Sequence, residues 1–78
     1  MIALLSTTRE RAVSRLREED PQVQITGNRA QLSDGRQVVI ATTERELQGR
    51  VLSGFWIEGF VFEDLVRLAE ARVINRER

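Results

Sequence analysis

A short apolar run that leads directly into a helix-start signal limits the fold of this chain more than any other feature. Ile2 to Leu5 is a continuous apolar run, which suits a strand buried on both faces. Thr7 follows, three residues before Glu10, in the spacing of a capping box. A strand that passes straight into a helix is the unit of α/β proteins, so the sequence predicts an α/β domain.

The same arrangement recurs in the middle of the chain. The β-branched run from Val38 to Ile40 predicts a central strand, and Thr43 with Glu46 forms a second capping-box pattern. Gly49 predicts the end of the helix that follows, so this helix should be short.

The segment between these two units predicts one helix and a β-hairpin. The helix that opens near Thr7 should end at Pro21. Alternation around Val23, a Gly27-Asn28 turn and a return strand from Arg29 to Ser33 predict the hairpin. Asp34-Gly35 predicts a second turn, which leads into a strand from Arg36 to Ala41.

The last third predicts one strand and one helix. Val51 to Glu58 should be the strand, and apolar residues at helical spacing predict a helix from Phe62 to Val73, with Arg72 and Arg76 near its end. The predicted order is β-α-β-β-β-α-β-α in a single domain over residues 1–78. The fold class is then a two-layer or three-layer α/β sandwich with a small, partly parallel sheet, three helices and a β-hairpin extension. Strands beginning at Ile2, Arg36 and Val51 should be parallel.

Composition excludes several classes of function. The chain has 12 basic and 12 acidic residues, no His and no Cys, and every basic residue is Arg. Thiol catalysis, thiolate metal sites, histidine bases and the phosphate-binding Lys of a P-loop are therefore absent. We expect no enzyme activity, no cofactor and no metal. No run approaches the ~20 apolar residues of a membrane span, and no signal peptide is evident, so we expect a cytoplasmic protein with no membrane partner.

Three strand-to-helix junctions should converge at one edge of the sheet, where open α/β sheets bind ligands. They are Ser6-Thr7-Thr8, Thr42-Thr43 and Glu58-Gly59. Hydroxyls and free helix amides could bind a phosphate there. The alternative is that the Thr residues only cap their own helices, and Glu10 and Glu46 would repel an anion.

Two further features of the last predicted strand have alternative interpretations. Glu58 ends an apolar run, either as a solvated strand end or as a relic or active carboxylate. Phe55 and Trp56 lie on opposite faces of the strand. Both suit the core, but the predicted helices are too few to cover both faces fully, so one of these aromatics could mark an interface.

The order of these pieces resembles part of the core of helicase-like and phage terminase P-loop ATPases. The similar segments are Ala3 to Ala12, Asp34-Gly35 with Val38 to Thr42, Leu47-Gln48-Gly49-Arg50, and Phe55 to Gly59, which is similar to the acidic Walker B strand. By this resemblance Glu58 stands where the magnesium-binding Asp would be, and Gly59 stands where the catalytic Glu would be. Gln48 replaces the usual Arg, and the P-loop with its Lys is missing. The resemblance therefore implies fold, ancestry and a phage or prophage origin, and does not imply ATPase activity.

These observations predict a non-enzymatic interaction module of phage or prophage origin. Its partner should be a second copy, forming a homodimer or higher oligomer, or a host or phage protein. The alternatives are a nucleic-acid-associated accessory protein that uses Arg residues on one face and a minimal phosphate- or nucleotide-binding domain at the Thr-rich strand ends. Fold alone does not choose between them.

Overall fold

The computed structural model describes residues 1–73, and within them five strands form one mixed sheet with two α-helices. The elements are β1 (Ile2–Ser6), α1 (Arg9–Glu19), β2 (Gln24–Thr26), β3 (Arg29–Gln31), β4 (Gln37–Ala41), β5 (Gly54–Glu58) and α2 (Glu63–Arg72). The mixed α/β fold class is thus confirmed. Arg76 lies outside the described residues.

The first strand of the chain is the central parallel strand of the sheet. The strand order is β2-β3-β4-β1-β5, and β1 runs parallel to both β4 and β5. β2 and β3 pair antiparallel with each other, and β3 pairs antiparallel with β4. The predicted parallel strands and hairpin extension are therefore present.

The two faces of β1 carry separate cores, which makes the fold three-layered. Leu4 points to the α1 side, where it packs with Ala12 and Leu16 of that helix. Ala3 and Leu5 point to the opposite side, where α2 packs on the sheet. A strand buried on both faces needs the continuous apolar run that opens the sequence.

The prediction of three helices is wrong, because the segment between β4 and β5 forms one 3₁₀ turn over Glu44–Leu47. The predicted capping box between Thr43 and Glu46 does form. Gly49 then adopts a φ of +71° only two residues after the turn. So short a segment forms too few α-helical hydrogen bonds to offset nucleation of a helix, whereas 3₁₀ turns are common at this length.

Other boundaries also differ from the sequence-based expectation. α1 is capped by Thr8, whose hydroxyl accepts from the N–H of Arg11, and not by Thr7. β5 begins at Gly54 rather than Val51, and Leu52 instead forms an isolated parallel bridge to the end of α2.

The predicted inclusion of Phe62 in the last helix is also wrong. This residue is the N-cap of α2 and is 83% exposed. Neither helix within residues 1–73 has the length and apolar content needed to cross a membrane.

Candidate functional site

Four of the hydroxyl residues predicted to converge do so at the carboxyl edge of the parallel strands. The hydroxyl cavity there has a volume of about 300 Å³ and is lined by Ser6, Thr7, Thr42, Thr43, Glu44, Val61, Phe62, Asp64 and Leu65. The Thr8 side chain caps the start of α1 and does not line this cavity. The convergence follows from parallel β1, β4 and β5, whose carboxyl ends share one edge.

The two backbone N–H donors at the end of β4 are already used by a carboxylate of the chain itself. Oε1 of Glu46 accepts from the N–H of Thr42 at 3.1 Å and from the N–H of Thr43 at 2.8 Å. The Thr43 hydroxyl donates to the same carboxylate at 3.0 Å. Burial raises the pKa of Glu46, but the hydrogen bonds from Thr43 and Thr42 lower it, and the net pKa lies below its ordinary value. Glu46 is therefore an internal anion that fills this position.

The remaining charges around the hydroxyl cavity also oppose a phosphate. Glu44 and Asp64 line the cavity, and no Arg is among the described residues that line it. Ser6 is completely buried, and its hydroxyl donates to the carbonyl of Thr8 at 2.8 Å. The Ser6 hydroxyl therefore stabilises the junction between β1 and α1, and the charged side chains that line the cavity are acidic.

Glu58 lies at the end of β5 but does not join the hydroxyl cavity. Its side chain is 23% exposed and pairs with Arg15 of α1, with Nη1 and Oε1 3.7 Å apart. Gly59 follows with a φ of +71°, and a Cβ placed there would lie 3.0 Å from Nη1 of Arg11. A side chain at position 59, where the ATPase resemblance would require a catalytic Glu, is therefore strained by the backbone and crowded by a neighbour.

A larger groove of about 620 Å³ lies on the α1 side of the sheet. Leu4, Leu16 and Leu32 contribute its apolar lining, and Trp56 contributes an indole ring over the Arg36 guanidinium, 5.6 Å from the ring centroid. This stacking is a cation–π contact.

The charged residues of this groove pair with one another or with the backbone. Nε of Arg36 lies 2.7 Å from Oδ2 of Asp34, and the N–H of Ser33 donates to Asp20 at 2.6 Å. The backbone hydrogen bond from Ser33 is the main cause that lowers the pKa of Asp20, and the one from Arg36 is the main cause that lowers the pKa of Asp34. A polar ligand would have to displace these internal partners, so the groove is better suited to fixing Trp56 than to recognising a charged molecule.

The two aromatic residues predicted as interface candidates have different environments. Phe55 is partly buried and packs against the core on the α2 side. Trp56 faces the α1 side and is 40% exposed.

Among the described residues, four of the five exposed large apolar side chains lie in β5 or in the segment that follows it, and the fifth is Val51. Ile57 is 49% exposed, Phe60 is 93% exposed and Phe62 is 83% exposed. β5 is also an edge strand, with β1 as its only strand neighbour among the described residues. We give the name β5 edge surface to the outer backbone edge of β5, to Trp56 and Ile57 on its two faces, and to Phe60 and Phe62 in the segment after it. Phe62 also lines the hydroxyl cavity.

Sequence reasoning missed most of this surface. It assigned Phe62 to the apolar face of the last helix and assigned no role to Phe60. One signal was present: Glu63 and Asp64 are acidic residues of the kind preferred in a first helical turn. That signal places Phe62 before the helix, where an aromatic side chain is not directed into the core.

The β5 edge surface combines exposed apolar side chains with a strand that has one strand neighbour among the described residues. No family model, no curated protein and no solved structure matches this chain.

Proposed function

We propose that this chain is a non-enzymatic interaction module that binds a protein through the β5 edge surface. The observation that carries the proposal is the exposure of Phe60 (93%) and Phe62 (83%) in the segment that directly follows an edge strand. Burying a Phe side chain that would otherwise be exposed contributes about 1.5–3 kcal/mol, so a partner that covers both gains substantial free energy.

The two edges of the sheet differ in a way that supports this assignment. β2 forms one edge with only three residues, and its outward-exposed Gln24 and Thr26 are polar. β5 forms the other edge with five residues, and Trp56 and Ile57 are exposed along it. Short polar edges resist association, whereas longer apolar edges promote it. The chain therefore protects one edge and leaves the other suited to a partner.

The same surface favours a protein over a nucleic acid. Stacking on bases requires aromatic rings set among positive charges. Phe60 and Phe62 are instead followed by Glu63 and Asp64, which would repel a phosphate backbone. Trp56, the remaining exposed aromatic, already has Arg36 over its ring.

The non-enzymatic part of the proposal is supported by the occupied groups at the carboxyl edge. Glu46 accepts from the N–H groups of Thr42 and Thr43. Ser6 donates to a backbone carbonyl, and Glu58 pairs with Arg15. None of these groups is left poised for acid–base or nucleophilic chemistry.

Site-specific photo-crosslinking tests the proposed function. A photoreactive phenylalanine analogue is placed at Phe60, and a matched control carries it at Gln24 on the opposite edge of the sheet. In cells that express the chain natively, we expect a discrete protein adduct from position 60 and none from position 24. Equal adduct patterns from both positions, or no adduct from position 60, would contradict the proposal.

A further inference from the structure

We infer that the partner of the β5 edge surface is a second copy of this chain, paired antiparallel along β5 about a two-fold axis. The inference rests on the proposed function and names its partner. It is carried by the direction of the backbone groups of β5, by a register that pairs all of its outward groups, and by the exposed apolar side chains of the β5 edge surface.

Backbone hydrogen bonds determine which residues of β5 direct their N–H and C=O groups away from the sheet. The N–H of Ile40 donates to the carbonyl of Asn28 at 2.7 Å, so the backbone N–H and C=O of Ile40 point toward β3. The backbone groups of the neighbouring Val39 therefore point toward β1. The parallel registers of β1 with β4 and with β5 transmit this alternation across the sheet. The outward backbone groups of β5 are then those of Phe55 and Ile57.

A two-fold axis at Trp56 satisfies every one of these outward groups. It places Phe55 of one copy opposite Ile57 of the other, so each outward N–H meets an outward C=O in the hydrogen-bonded pairing of antiparallel strands. The two Trp56 residues then form the intervening non-hydrogen-bonded pair on the α1 side.

The same register is compatible with the charges and side chains of β5. Glu58 is the only charged residue of β5, and the two-fold axis places it opposite Gly54 of the second copy rather than opposite another carboxylate. Ile57 packs beside Phe55 of the second copy on the α2 side. Cross-strand pairs of aromatic and β-branched residues are favourable in antiparallel sheets.

The exposed apolar area is large enough for a specific contact. At 150–250 Å² for a whole aromatic side chain, the four side chains of the β5 edge surface expose about 500 Å² in each copy. Complete burial of these side chains in both copies would remove about 1,000 Å² from solvent, which is the lower limit for a specific interface. Arg72 and Val73 of the same chain already lie beside Leu52, whose N–H donates to the carbonyl of Arg72 at 2.9 Å. Among the described residues, the edge left for a second copy is therefore that of Gly54–Glu58.

Hydrogen exchange followed residue by residue, together with sedimentation equilibrium, tests the inference. We expect the amides of Phe55 and Ile57 to gain protection as concentration rises, while the inward amide of Trp56 stays protected throughout. The mass should rise in parallel from 9.0 kDa to twice that value. Outward amides that exchange freely at every concentration would overturn the inference. So would outward amides that are protected at the single-chain mass, because another part of the chain would then cover the edge.

A matched pair of variants separates this inference from the proposed function. Ile57→Lys places a charge opposite Phe55 of the second copy and should raise the dissociation constant of the dimer by at least about tenfold. Gln24→Lys on the β2 edge is the control and should not change the dissociation constant. Circular dichroism checks that both variants keep the fold. A dimer unaffected by Ile57→Lys overturns the inference. If the wild-type chain is a monomer but position 60 crosslinks to a different protein, the proposed function stands and the second copy is the wrong partner.

Discussion

At the scale of single residues, neighbouring hydroxyl groups at the carboxyl edge have different roles. Ser6 is buried within β1 and donates to a carbonyl, Thr8 caps α1, and Thr7 lines the hydroxyl cavity. The capping-box spacing predicted Thr43 and Glu46 correctly because both partners are local in sequence. It predicted Thr7 instead of Thr8 because the cap position depends on where β1 ends, and pairing of Ser6 with β5 sets that point.

Thr8→Ala should destabilise the protein more than Thr7→Ala does. The Thr8 hydroxyl accepts from the third amide of α1, and loss of such a cap costs about 1 kcal/mol. Thr7 caps no helix among the described residues, so its replacement should change the free energy of unfolding by less than ~0.5 kcal/mol. Urea unfolding of the two variants measures both values. Equal losses would contradict the assignment of the cap.

Glu46→Gln should remove part of the pH dependence of stability. Because the folded-state pKa of Glu46 is lowered, its carboxylate adds stability above the unfolded value of 4.5, and this stability is lost as pH falls through the folded pKa. The wild type should therefore exceed the variant in stability at pH 7 by more than it does near pH 3. Asp20 and Asp34 titrate in both proteins and cancel in the comparison. A difference that stays constant with pH would exclude this role for Glu46.

Gly59→Glu introduces the second acidic residue that the predicted ATPase resemblance would require and tests whether position 59 can accept it. The positive φ of Gly59 should make the substitution destabilising by about 1–2 kcal/mol. Gly54→Ala is the control, since Gly54 has an ordinary φ and no atom within 4 Å of an added Cβ. We expect no magnesium-dependent nucleotide hydrolysis by either variant. Turnover by Gly59→Glu would reopen the catalytic interpretation.

At the scale of elements, the sequence predicted strand and helix types better than their lengths. β1 and β4 were predicted well because continuous apolar runs mark strands buried on both faces. The helix after β4 was not, because a start signal and a stop signal lie too close together for an α-helix. The β5 edge surface escaped prediction because the exposure of Phe62 depends on the residue at which α2 begins.

The 3₁₀ turn should depend on one anchoring side chain. Leu47 is completely buried in the core on the α2 side, and it is the only buried residue of Glu44–Leu47. Leu47→Ala should lower the free energy of unfolding by about 2–4 kcal/mol. The control is Val51→Ala, which truncates an exposed side chain and should cost less than ~0.5 kcal/mol. Chemical denaturation followed by the fluorescence of Trp56 measures both variants.

At the scale of the whole molecule, the sequence limited the fold to two or three layers and left the strand order open. Apolar residues on both sides of β1 require cover on both faces, which the two helices provide. The position of β1 between β4 and β5 depends on contacts between distant parts of the chain, and no local pattern encodes it. The convergence of the hydroxyl residues was predictable because parallel strands share an edge, whereas their function was decided by Glu46.

Charge at this scale predicts weak interaction with nucleic acid. The 12 basic and 12 acidic residues balance. Arg15, Arg36 and Arg67 each contact a carboxylate within the chain. We expect no binding to generic duplex DNA by fluorescence anisotropy between about 50 and about 200 mM salt. Binding that weakens steeply across that range would instead support the nucleic-acid alternative.

The central place of β1 also governs how the chain can acquire its structure during synthesis. Ile2 lies opposite Val38 on one side and opposite Gly54 on the other, so β1 is synthesised before both of the strands with which it pairs. Such distant pairings slow folding, since a long loop must close before its contacts stabilise it. Until β5 emerges, the apolar strand β1 has one edge open to other nascent chains. The completed sheet should therefore form in one cooperative step, after β5 has been made.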